Sequence, residues 1–133
     1  MSNPLSKLLD LYKSRNFIQA EKEYLHITKK LKPNHELLNL YGVILFELKK
    51  YDKAILQLKK SIEINPNYYQ GYNSLGNIFF KKNDFKEALE AYEKAIKLKF
   101  DYFETYHNTG NVYLKLGQID KALKNYNLAT KFN

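Results

Sequence analysis

Four alanines, Ala20, Ala54, Ala88 and Ala122, stand 34 residues apart, and this interval limits the possible folds more than any other feature of the 133-residue chain. Three glycines, Gly42, Gly76 and Gly110, keep the same interval, each twelve residues ahead of its alanine. Large side chains follow the alanines by four: Tyr24, Leu58, Tyr92 and Tyr126. A fourth column, Phe17, Tyr51, Phe85 and Ile119, precedes them by three. Four columns on one period define an array of repeats, in which each unit buries its apolar face against a neighbour.

Inside one period the spacing is helical. Tyr72, Leu75, Gly76, Phe79 and Phe80 recur at steps of three and four and share a face, Asn83-Asp84 interrupts, and Phe85, Ala88, Leu89, Tyr92, Ala95 and Ile96 form a second face. Each unit is therefore helix, turn, helix, turn. Asp84 with Glu87, and Asn16 with Gln19, read as capping boxes that open the second helices. Gly117 and Asn83-Asp84 are turn chemistry, and Pro33 and Pro66 are expected to end the second helices of their units. Glycine inside a helix costs roughly 0.5–1 kcal/mol against alanine. Its recurrence implies that paired helices approach closely where both present small side chains.

The period and the order of small and large residues resemble the tetratricopeptide repeat. The pattern stands as Tyr72-Leu75-Gly76-Phe79, Ala88, Tyr92 and Ala95; as Leu38-Tyr41-Gly42-Leu45, Ala54, Leu58 and Pro66; and as Tyr106-Thr109-Gly110-Tyr113, Ala122, Tyr126 and Ala129. The first unit is degenerate, with Leu8 for the glycine and Pro4 for the first aromatic, and Phe100 takes a place where proline is usual. The resemblance implies an all-α fold, a right-handed α-solenoid of antiparallel helix pairs. One domain over 1–133 is expected, with repeats at 1–34, 35–68, 69–102 and an incomplete 103–133.

By the same resemblance, first helices line a concave groove. The inward positions are Leu5, Leu9 and Tyr12; Glu36, Asn39, Val43 and Phe46; Gln70, Asn73, Asn77 and Phe80; and Glu104, His107, Asn111 and Leu114. Amides donate and accept, so Asn73, Asn77, Asn108 and Asn111 are suited to bracket an extended peptide backbone. Members that grip a C-terminal carboxylate use lysine and arginine beside asparagine. Asn77 and Asn108 fit that pattern, but Asn73 stands where a lysine is expected, which argues against chaperone-tail binding.

The net charge of +8 raises nucleic acid as a rival. Lysines fall mostly on second helices, on outer faces and in last turns where cations complement the helix dipole. Glu63, Glu87, Glu90 and Glu93 interrupt any continuous stripe, which argues against phosphate tracking. Only the first unit, with seven cations against three anions, is markedly basic, and RNA binding there is the weakest alternative.

Catalysis has no constellation to support it. His26, His35 and His107 occupy different repeat positions, no phosphate-cradling glycine loop exists, and there is no cysteine. No catalytic residue, metal or cofactor is expected, and the reading is of a scaffold rather than an enzyme. No run of about 18 apolar residues occurs, so no membrane span is expected and a cytoplasmic location is the default. No polar capping helix follows the fourth repeat. Ala122, Tyr126 and Ala129 are therefore expected to face solvent, as a surface for a second copy or for further protein. An alternative role is a non-catalytic N-terminal array working with a larger enzyme, such as a glycosyltransferase-type protein.

Overall fold

The computed structural model describes residues 3–133. Eight α-helices form among them: α1 (Pro4–Lys13), α2 (Phe17–Thr28), α3 (His35–Glu47), α4 (Tyr51–Ile64), α5 (Tyr69–Lys81), α6 (Phe85–Leu98), α7 (Phe103–Lys115) and α8 (Ile119–Phe132). The period sets their starts. α2, α4, α6 and α8 open on Phe17, Tyr51, Phe85 and Ile119, while α3, α5 and α7 open on His35, Tyr69 and Phe103. The chain falls into two compact units, Met1–Pro66 with α1 to α4 and Asn67–Asn133 with α5 to α8.

Within each repeat the turn is made by backbone conformation rather than by a side-chain cap. Arg15, Lys49, Asn83 and Gly117 are again 34 apart, and all have φ between 60° and 74°. Each sits just past a first helix, and the residue after it donates its N–H back to that helix: Asn16 to Leu11, Lys50 to Leu45, Asp84 to Phe79 and Gln118 to Tyr113, at 2.8–2.9 Å. This is the left-handed helix stop that satisfies otherwise orphaned carbonyls. The expected capping boxes do not form, because neither Asn16 nor Asp84 makes a side-chain cap bond. With ψ near 65°, these residues do not take the extended conformation that aims a side-chain oxygen into the first turn. True side-chain caps stand at Asn3, which accepts from Leu5, and at Asn34, which accepts from Leu37 at 2.9 Å.

Of the two prolines expected to end second helices, Pro66 stands directly after the Asn65 C-cap of α4, whereas Pro33 does not end α2. α2 stops at Thr28, whose hydroxyl bonds back to the Tyr24 carbonyl, five residues ahead of Pro33. α6 stops at Leu98 with no proline in reach, and Phe100 in that place is 69% exposed.

In the first unit α3 packs against α1, α2 and α4 and is apolar nearly all round, with Leu37, Leu38, Leu40, Tyr41, Ile44 and Leu45 buried. The glycine column faces the large residues, not the alanines. A Cβ on Gly42 would lie 2.7 Å from Leu58 Cγ, one on Gly76 2.6 Å from Tyr92 Cδ1, and one on Gly110 2.8 Å from Tyr126 Cδ1. The expectation that two small residues meet is thus corrected, since each glycine leaves the space that a large side chain fills. In the first repeat Leu8 occupies that space and is fully buried. Tyr24 there stacks on Tyr41, with centroids 3.7 Å apart and planes 13° from parallel.

Candidate functional site

In the second unit, α7 packs between α6 and α8 and also touches α5. A cleft of about 850 Å³ opens along it, lined by Asn73 and Asn77 of α5, by Phe103, Glu104, His107 and Asn108 of α7, and by Tyr126, Ala129, Thr130 and Asn133. Glu104, His107, Asn108 and Asn111 follow the i, i+3, i+4, i+7 rhythm and form one stripe along α7.

The amides are braced from behind. Tyr92 donates its hydroxyl to Asn77 Oδ1 at 2.6 Å, and Tyr126 donates to Asn111 Oδ1 at 2.6 Å. Asn108 spends both amide hydrogens, one on Asn77 Oδ1 at 3.0 Å and one on Asn73 Oδ1 at 3.2 Å. Thr105, fully buried, donates to the same Asn73 oxygen at 3.0 Å. A tyrosine hydroxyl that donates fixes which end of the amide it meets, so Asn77 and Asn111 are held with oxygen inward and NH2 outward. Burial pushes the Tyr92 phenol well above its usual value and keeps it protonated as that donor.

The sequence-predicted residues divide accordingly. Asn73, Asn77, His107 and Asn108 share the cleft, while Asn111 adjoins it through Tyr126. Asn73 is only 6% exposed, so it holds the network together more than it offers a surface. Gln70 lies half-buried on α5 outside the cleft. Phe80 packs on Phe85 at 5.9 Å and against the core of Ala88, Tyr92 and Val112, which makes it a hairpin residue. Phe46 does the same with Tyr51 at 5.7 Å in the first unit, as Tyr12 does with Phe17. Asn39 and Val43 are half-buried on α3, and Asn39 Oδ1 has no hydrogen-bond partner among the described residues.

One expectation is overturned. Ala122 and Ala129 are 1% and 7% exposed, and Tyr126 is half-buried against Gly110 and bonded to Asn111. The two alanines are buried and Tyr126 shows only part of its ring, at the cleft, because the repeat pattern uses these positions inside its own hairpin. What the fourth repeat leaves open is Leu114, Ile119 and Leu123, at 51%, 52% and 54% exposed. Their counterparts one period earlier, Phe80, Phe85 and Leu89, pack against a core that includes Val112 of α7.

Sequence reasoning missed Phe103, Thr105, Tyr92, Thr130 and Asn133 as parts of the site. For the tyrosines a signal existed: Asn77 and Tyr92, and Asn111 and Tyr126, are each fifteen residues apart in successive repeats. Among the described residues, no three His, Asp or Glu side chains are placed to hold a metal ion. None of the helices is long and apolar enough to cross a membrane.

Helical hairpins on a 34-residue period, with glycine set against a large residue, define a repeat protein built for recognition surfaces. The TPR repeat profile matches residues 42–82 and 76–117, and the tetratricopeptide repeat profile matches 103–133. The chain belongs to the tetratricopeptide repeat family, and its fold class is the all-α class of that family. A crystal structure of MamA is similar at 25% identity and a TM-score of 0.80, covering 96% of this chain and 77% of that one. YrrB, described as a TPR protein with an unusual peptide-binding site, is 18% identical with a TM-score of 0.80. It covers 92% of this chain, which spans 63% of YrrB's length. No curated protein matches the sequence.

Proposed function

We propose that this chain is an interaction module that takes an extended peptide segment of a protein partner along the α7 stripe, with no catalytic step. The observation that carries this is the cleft itself. Three of the four amides predicted to meet a peptide line one concavity; the oxygens of Asn73, Asn77 and Asn111 are engaged internally, and the outward NH2 groups of Asn77 and Asn111 are left for carbonyl oxygens. A main chain offers a carbonyl at every residue, and donors one repeat apart suit that periodic acceptor. Peptide binding by YrrB supports the reading by likeness of fold.

Random peptides displayed on phage and panned on the immobilised protein test it. Asn77→Asp is the informative variant, because a carboxylate still accepts from Tyr92 and Asn108 but replaces the free donor by an acceptor. Selected peptides are expected to bind this variant at least tenfold more weakly, with its helical content and melting unchanged. Equal binding would remove the amide face from the site.

A second reading concerns self-association. The open apolar residues Leu114, Ile119 and Leu123 favour a second copy covering the face that a next helix would cover within an array.

A further inference from the structure

Resting on the peptide reading above, we propose that the cleft selects a segment carrying a basic side chain, and that Glu104 is the residue that reads it. Ten residues line the cleft, and Glu104 is the only Asp, Glu, Lys or Arg among them, in a chain whose net charge is +8. No lysine or arginine lines it. An anionic group, such as a terminal carboxylate or a phosphate, would meet a carboxylate and no cation there.

The carboxylate is also prepared. Tyr102 donates its hydroxyl to Glu104 Oε2 at 2.9 Å, which steadies the side chain while Oε1 has no partner among the described residues. Aromatic faces accompany it in the same cleft: Phe103, partly exposed, and the His107–Tyr126 pair, with centroids 5.5 Å apart. A guanidinium or ammonium is the group that gains from a carboxylate and from ring faces together.

The stripe also sets a scale. From Glu104 to Asn111 is seven helical steps, roughly 10 Å, which is about three residues of extended chain. The basic residue therefore stands about three positions from the carbonyl that Asn111 holds.

The test is the same phage selection, run on wild type, Glu104→Gln and Glu104→Lys. Glu104 is exposed, so its replacement leaves the fold intact, and thermal melting verifies this. The expected result is a lysine or arginine recurring at one position of the wild-type peptides. A consensus peptide, synthesised with blocked ends, should bind about tenfold more weakly to Glu104→Gln and show no binding to Glu104→Lys. Replacing its basic residue by citrulline or norleucine should cost wild type the same factor and Glu104→Gln nothing. Peptides selected without a recurring basic residue, or bound equally by wild type and Glu104→Gln, would overturn the charge assignment and leave peptide binding standing. Failure to enrich any peptide on wild type would overturn both.

Discussion

At the scale of single residues, the glycine column shows how a small side chain earns its place. Gly76 removes a Cβ that would lie 2.6 Å from Tyr92 Cδ1, so the ring of Tyr92 packs on bare backbone. Alanine would gain up to about 1 kcal/mol of helix propensity, yet overpacking a core typically costs 1–3 kcal/mol. The clash wins because it involves a ring almost fully buried among Ala88 and Val112, with no direction in which to yield. Gly76→Ala is therefore expected to lower unfolding free energy by about 1 kcal/mol, and Gly76→Leu by several times that, read by urea denaturation. Gly76→Ala combined with Tyr92→Leu should recover part of the loss. Without that recovery, the ring would not be what the glycine accommodates. The first repeat shows another solution, in which Leu8 fills the gap and Tyr24 turns to stack on Tyr41.

Elements obey a rule that the residue types only half reveal. Four first helices end in the left-handed region at Arg15, Lys49, Asn83 and Gly117. Only Gly117 and Asn83 advertise that conformation, since arginine and lysine gain nothing from it. Gly117→Ala should cost about 1 kcal/mol with no steric component, because open space surrounds the position. Conversely, Lys49→Gly should stabilise the first unit by about the same amount, unless the longer stem contributes packing. Thermal melts of the two variants should shift in opposite directions, and a shared direction would refute the backbone account. Helix starts and the hairpin rhythm were legible because apolar periodicity reports them directly. The caps were misread at Asn16 and Asp84 because a capping residue type does not ensure a capping conformation, and here the preceding left-handed residue determines ψ. The resemblance puts Phe46 and Phe80 in the groove, whereas the structure pairs them with Tyr51 and Phe85, and the family pattern does not show which aromatic closes the turn.

For the molecule as a whole, the open apolar residues matter more than the charge. Lys7 pairs with Glu23 inside the basic first repeat, and Lys50 of the second repeat reaches back to Glu21. Leu114, Ile119 and Leu123, each about half exposed, have no such relief. The second-copy reading predicts a concentration-dependent dimer in sedimentation velocity that Leu123→Glu converts to monomer. A wild type that stays monomeric at millimolar concentration would dismiss it. Ala122, Tyr126 and Ala129 depart from the expectation because these positions of a second helix pack on the first helix of their own hairpin, as Tyr126 does on Gly110.

The tyrosine braces carry a consequence for anyone who would recombine such repeats. Asn77 and Asn111 each depend on a hydroxyl supplied fifteen residues later, whereas the same two positions in the second repeat hold Val43 and Leu58, which offer neither amide nor hydroxyl. Grafting an asparagine at Val43 alone would import a recognition group without its tether, free to rotate and to present either end. The transferable module is therefore the pair, and a cassette that splits a repeat at its turn would inherit half of it.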